Sequence, residues 1–284
     1  MNANVKDEGG AIYNTGKRLS INNINFINNV ASNGGAIQNT GMYVTICNST
    51  FTGNKASSVG GAINNNGFNF TVGNSTFNYN TASYGGAIGN DGGVFIVGNS
   101  IFNGNKASMK GGAINTNHAI DVCIKNSSFI NNTANIFGGA IHNDGYGAIL
   151  TVDNSIFIYN NANDEGGAIY NWHGDDFSVS NSTFIYNTAF YYSAICNYGG
   201  VGCSIGSSIF TNNTVFNGDA IGNDYKSFSI SNSTFDNNTE AVGPFSKFMN
   251  SKLPFPLDIF DPTTIISIVH YYLLQEDYIK NHSR

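Results

Sequence analysis

Apolar residues recur along this chain in three short pieces, each ending at an asparagine: a β-branched residue two before an Asn, then Phe-x-x-Asn, then Ala-Ile-x-Asn. The Phe–Asn pairs run from Phe26/Asn29 to Phe235/Asn238, nine in all, with 25 to 28 residues from one Phe to the next. A GGAI motif keeps step at 9–12, 34–37, 60–63, 85–88, 111–114, 138–141 and 166–169, followed by altered copies at 193–195 and 219–221. Five residues before each Phe stands Ile or Val without exception, from Ile21 to Ile230. A fixed period in this range marks a solenoid, whose units bury their apolar faces only against neighbours. The pieces are too short for helices and lack recurrence at 3, 4 and 7, while their β-branched and aromatic content favours strands. Three strands and three corners per repeat predict a triangular coil, stacked in parallel at about 4.8 Å per turn, so nine turns give a rod of about 43 Å.

In such a stack each side chain sits over its own copy in the next turn. Phe is expected to lie on Phe, and an inward corner Asn to bond the Asn above and below in a ladder, where aspartate would place like charges one turn apart. The Gly pair ahead of Ala-Ile supplies backbone freedom at the tightest corner. The Phe, Asn, Ser and Gly columns therefore read as structural, and none is assigned catalysis.

Composition narrows the function. Charged residues make up 11% of the chain and the net charge is −6, with 47 asparagines carrying much of the polarity. Twelve thinly spread Lys and Arg provide no phosphate-binding stripe, so nucleic acid is not an expected partner. No stretch reaches 18 apolar residues, so no membrane-spanning helix is expected. The first residues, MNANVKDEGGAIYN, show no leader pattern and resemble the second half of a repeat (compare 161–171), so the sequence is expected to begin within a turn, either as a fragment of a longer protein or as a chain whose start has been lost. Of four cysteines, Cys47 and Cys123 lie about three turns apart, too far to bridge, whereas Cys196 and Cys203 share one turn and could pair. No Cys or His pair has metal-ligand spacing, and neither a metal nor another cofactor is expected.

The paired GGAI and FxxN motifs in constant register resemble the repeats of chlamydial polymorphic outer membrane proteins, and those of adhesin-like surface proteins of methanogens, over residues 9 to 241. The resemblance implies a right-handed parallel β-helix, located at the cell surface or secreted, that serves in adhesion to a surface protein or glycan of another cell. No run of alternating ten-residue strands resembling that family's membrane barrel follows residue 245.

The period and the composition both change near residue 242. All four prolines lie beyond it, and Asp261-Pro262 reads as a helix start before apolar residues at helical spacing over 264–280. The expected organisation is therefore all-β, a β-helix over 1–242, followed over 243–284 by a linker, with Phe245, Phe248, Leu253 and Phe255 against the last turn, and a helix that caps the exposed strand edges.

Function then belongs to outward columns. Beside the inward Phe, Ile101, Ile130, Ile156, Ile158, Ile185 and Ile209 predict a flat, semi-apolar strip suited to adhesion or lateral packing. Past the GGAI corner, His142, Asp144, Trp172, His173, Asp175, Asp176 and Tyr198 gather near Phe190, Tyr191 and Tyr192. Aromatics there can stack on sugars, and Asp144 with Asp175 or Asp176 is the acid–base pair if the chain is instead a polysaccharide lyase or hydrolase. A purely structural stalk is the third reading. Calcium at Asp164-Glu165 or Asp7-Glu8 lacks the alternating acids of a binding loop.

Overall fold

The computed structural model describes residues 7–145, 147–199, 202–223 and 228–239, with the backbone of Lys247 and Phe248. The chain divides into two units, Met1–Ser251 and Lys252–Arg284. The expected linker contacts and the helix over 264–280 lie outside the described residues.

Within the first unit the chain is an all-β parallel solenoid, and no helix occurs among the described residues. Eight of the nine turns carry four strands rather than three among the described residues. In the second turn they are Ile37–Asn39, Val44–Cys47, Thr50–Thr52 and Lys55–Ala56. Like strands of successive turns pair in parallel into sheets of nine, ten, nine and eight strands. The fourth, short sheet corrects the triangular expectation. Its sequence signal is an inward Ala two residues after each FxxN asparagine (Ala31, Ala56, Ala82, Ala107, Ala134, Ala162, Ala189), with Val215 closing the column. A methyl group is small enough to leave no strong apolar mark.

The interior is built of identical neighbours. Phe26 pairs with Phe51, Phe51 with Phe77 and so on in exact register. The rings stack at centroid separations such as 4.8 Å for Phe26–Phe51 and 4.7 Å for Phe77–Phe102, within 7° of parallel. A second stack joins Phe70 to Phe95 at 5.1 Å. Each of these rings is fully buried, which is worth about 2–3 kcal/mol apiece over leaving it in water.

Two asparagine columns form the predicted ladders. Asn105 donates from Nδ2 to Asn132 Oδ1 (3.0 Å) and to Phe77 O (2.9 Å), while its Oδ1 accepts from the backbone N and Nδ2 of Asn80, both at 3.0 Å. Asn143, Asn171 and Asn197 continue the other ladder at 2.8 and 2.7 Å. The third column, Asn48, Asn74, Asn99 and their equivalents, does not turn inward. These residues are exposed and hold left-handed backbone, φ 46 to 50° in these three, which Asn tolerates better than most residues. The buried serines that follow form a ladder of their own, with Ser75 N donating to Ser100 Oγ at 3.2 Å.

At the glycine corner the first residue of the pair has positive φ, 65° at Gly111. A Cβ on the second, Gly112, would overlap the carbonyl oxygen of Gly139 one turn on. Both glycines are therefore required, for different reasons.

Candidate functional site

The residue after each GGAI isoleucine alternates away from the core, yet Gln38, Asn64, Asn115, His142, Tyr170 and Cys196 are all buried. They are covered by side chains around the glycine pair. Val59 lies where a Cβ on Gly89 of the next turn would go, and Tyr192 occupies the same space over Gly222. Phe137 stacks on Tyr170 at 4.6 Å, and Lys110 places its Nζ 5.6 Å from the Phe137 ring centre.

This covered column holds an unusual set of ionisable groups. His142 is fully buried beside the stacked rings of Phe137 and Tyr170, 6.4 and 5.4 Å from their centres, and neither of its ring nitrogens has a hydrogen-bond partner. Burial, with a smaller contribution from Lys110, holds its pKa well below that of ordinary histidine. Glu165 is half-buried and accepts from the Cys196 thiol, with Sγ to Oε2 at 3.6 Å, and from the Tyr170 hydroxyl. Desolvation raises its pKa despite these bonds. Sequence reasoning placed His142 on the surface because alternation alone puts it outside; the signal it overlooked is the pairing of glycines 89 and 222 with bulky residues in the preceding turn.

The predicted apolar strip is narrower than expected. Ile101, Ile156 and Ile209 are half-buried, but Ile130, Ile158 and Ile185 retain only 5, 2 and 8% of their exposure. The latter three are in mutual register, so Ile158 is sandwiched between Ile130 and Ile185, and the stack shields itself.

Among the described residues, turns six to eight, counting turns by their Phe, expose five aromatic side chains, Tyr159, Tyr186, Phe190, Tyr198 and Phe216. Asp144, Trp172 and Tyr198 share one register column, with Trp172 stacked on Tyr198 at 4.6 Å and His173 edge-on to Trp172 at 4.5 Å. Tyr159 and Tyr186 stack at 5.0 Å with 44 and 43% exposure. Both hold left-handed backbone, φ 54 and 52°, in a column where other turns place mostly Asn or Gly. Phe190 meets Tyr191 edge-on at 4.7 Å and stacks on Phe216, which is 82% exposed, at 4.9 Å. Tyr191 and Tyr192 are half-buried, 6.4 Å apart.

The three acids of the enzyme reading are dispersed over two elements. Asp144 closes the strand Ile141–Asp144, whereas Asp175 and Asp176 are exposed where the strand Asp176–Ser180 of a different sheet begins. Among the described residues no group of three His, Cys, Asp or Glu is placed to hold a metal ion. Cys196 and Cys203 lie in different sheets, and all four cysteines are free thiols. No described helix is long and apolar enough to cross a membrane.

Residues 48–66, 99–117 and 126–144 match the Chlamydia polymorphic membrane protein repeat. These three stretches are similar to that family's repeat. Each matched stretch starts at the left-handed Asn before the Phe and runs through FxxN and the glycine corner to the end of the isoleucine strand, so the repeat as matched straddles two turns of the coil. No curated protein matches the chain. Among solved structures it is similar to the A-module of the mannuronan C-5 epimerase AlgE6 from Azotobacter vinelandii, at 14% identity and a TM-score of 0.31, over 87% of this chain and 91% of that one.

Proposed function

We propose that this chain is a surface-exposed, non-catalytic scaffold that adheres to a protein or glycan of another cell through the aromatic face of turns six to eight. The match to a membrane-protein repeat supports a surface location. The observation that carries the adhesive reading is the stacked, exposed pair Tyr159 and Tyr186. A bulky side chain in left-handed backbone costs about 1–2 kcal/mol, and such strain gathers where function holds it in place. With Phe190 and Phe216 it forms amphipathic and apolar contact area of the kind that dominates binding surfaces. The half-buried Ile101, Ile156 and Ile209 contribute an adjoining β-branched strip, and Trp172 with His173 a further aromatic contact.

Beads coated with the protein are expected to adhere to cells. Substituting Tyr159→Asn, Tyr186→Asn and Phe216→Ser together is expected to abolish adhesion with the far-ultraviolet circular dichroism unchanged. Undiminished adhesion by that folded variant removes this face from consideration. Release of reducing ends or unsaturated sugars from a polysaccharide, lost on Asp144→Asn or Asp175→Asn, would replace the scaffold by an enzyme.

A further inference from the structure

Charge is segregated along the coil. Residues 9–120 contain five Lys and Arg against one acid, a net of +4, and residues 121–241 contain two against eleven, a net of −9. The one acid of the first half, Asp91, is already engaged by His118 at 3.0 Å. On the short alanine sheet of turns two to five, in that basic half, the surface sinks into an open depression of about 490 Å³. Its floor is the nearly buried Ala56, Ala82 and Ala107. Exposed Lys55 and Lys106 stand beside it in register through Thr81, two turns apart and so separated by about 10 Å along the rod. Among the described residues neither lysine is paired with an acid.

We infer that this depression binds a strand of a carboxylated or sulfated polysaccharide, laid along the rod axis across turns two to five. The geometry suits that class in three respects. The trough is straight and runs through stacked, equivalent positions, so it fits a regular extended polymer better than a compact ligand. Its two cations stand two turns apart, which suits a chain with an anion on alternate sugars. Its rim carries hydroxyls. Ser83 Oγ donates to Ser57 O at 2.9 Å, which leaves its oxygen lone pairs to accept from sugar hydroxyls. With exposed lysines and no aromatic platform, most of the affinity is electrostatic and therefore screened by salt. The inference goes beyond the adhesive reading, since it concerns the opposite half of the repeat array.

The test uses the full chain with heparin, polygalacturonate, neutral dextran and poly-L-glutamate as probes, in titrations at low and high salt. Both anionic glycans are expected to bind at low salt and release at high salt, while dextran does not bind and poly-L-glutamate binds more weakly. Lys55→Gln with Lys106→Gln is expected to weaken glycan binding about tenfold, the sum of two exposed ion contacts. The remote pair Lys17→Gln with Lys125→Gln is expected to leave it nearly unchanged. Unchanged affinity in the Lys55/Lys106 variant overturns the proposal, as does equal affinity for dextran or for poly-L-glutamate. Sedimentation separates a last alternative: self-association abolished by the same two substitutions would assign the trough to the acidic half of a second copy. The Tyr159, Tyr186 and Phe216 variant should still bind glycan, so this inference and the adhesive reading fail independently.

Discussion

The imidazole of His142 lies parallel to the phenol ring of Tyr170 in the next turn, 5.4 Å between centroids and 4° from coplanar, with no hydrogen bond to either ring nitrogen. A neutral imidazole fills this slot as an aromatic disc, and an imidazolium would be a buried, unpaired charge. Because its folded pKa lies below the ordinary value near 6.5, the unfolded chain takes up the proton first, so stability is complete above about pH 6.5 and falls as the pH drops toward the depressed value. His142→Phe keeps the stack and removes two unsatisfied polar atoms. It is expected to raise stability by about 1–3 kcal/mol at neutral pH and to flatten the slope below about pH 6.5 in urea titrations. An unaltered acid slope would show that another group governs it.

Asn105 makes its four ladder contacts without exposure to solvent. Asn105→Ala orphans groups on both adjacent turns and is expected to cost about 2–4 kcal/mol. Asn105→Asp should do at least as much harm, because its acceptors would face Asn132 Oδ1 and Phe77 O. Chemical denaturation of the two variants, with wild type alongside, measures both.

Strain and stacking oppose each other at Tyr159 and Tyr186. Relief of left-handed backbone by Asn is worth about 1 kcal/mol at each site, and the exposed ring pair contributes about 0.5–1 kcal/mol once. Strain wins in the double variant, Tyr159→Asn with Tyr186→Asn, which is expected to be more stable than wild type by about 1 kcal/mol. A lower urea midpoint at unchanged slope would mean that the stack outweighs the backbone term.

Thiol labelling should follow burial. Cys196 and Cys203 are buried, and burial pushes the Cys203 thiol far above its ordinary range, whereas Cys47 and Cys123 are half-exposed. In the native protein, iodoacetamide is expected to modify Cys47 and Cys123 first, with Cys196 and Cys203 reached only on unfolding. Mass spectrometry of the labelled peptides reads the order directly.

Much of this architecture was legible because identical stacking forces identical residues into columns. Phe51, Ile63, Asn54 and Gly61 each announce their place by recurring. The fourth strand escaped notice because alanine is too small to stand out as an apolar mark. Alternation correctly sent Ile130 and His142 away from the core, but it could not show that neighbours in the stack, or a covering ring, would bury them again. The aromatic face was only partly readable. Trp172 and Tyr191 stood out by composition, whereas Tyr159 and Tyr186 hid in a column whose usual occupants are Asn and Gly, all sharing the same left-handed backbone, and only the stacking of the two rings one turn apart sets them off.

The interlock of Tyr192 with Gly222, like that of Val59 with Gly89, bears on how such a gene can change. Whole windings can be duplicated or excised by unequal recombination without disturbing the Phe, Asn or Gly columns, since every junction there is the same. Tyr192 and the residue beneath it must travel together, because a deletion that set this ring over a side chain as large as Tyr170 would leave no room to close the joint. Inheritance in this chain is thus modular in its core and linked in pairs on its flank.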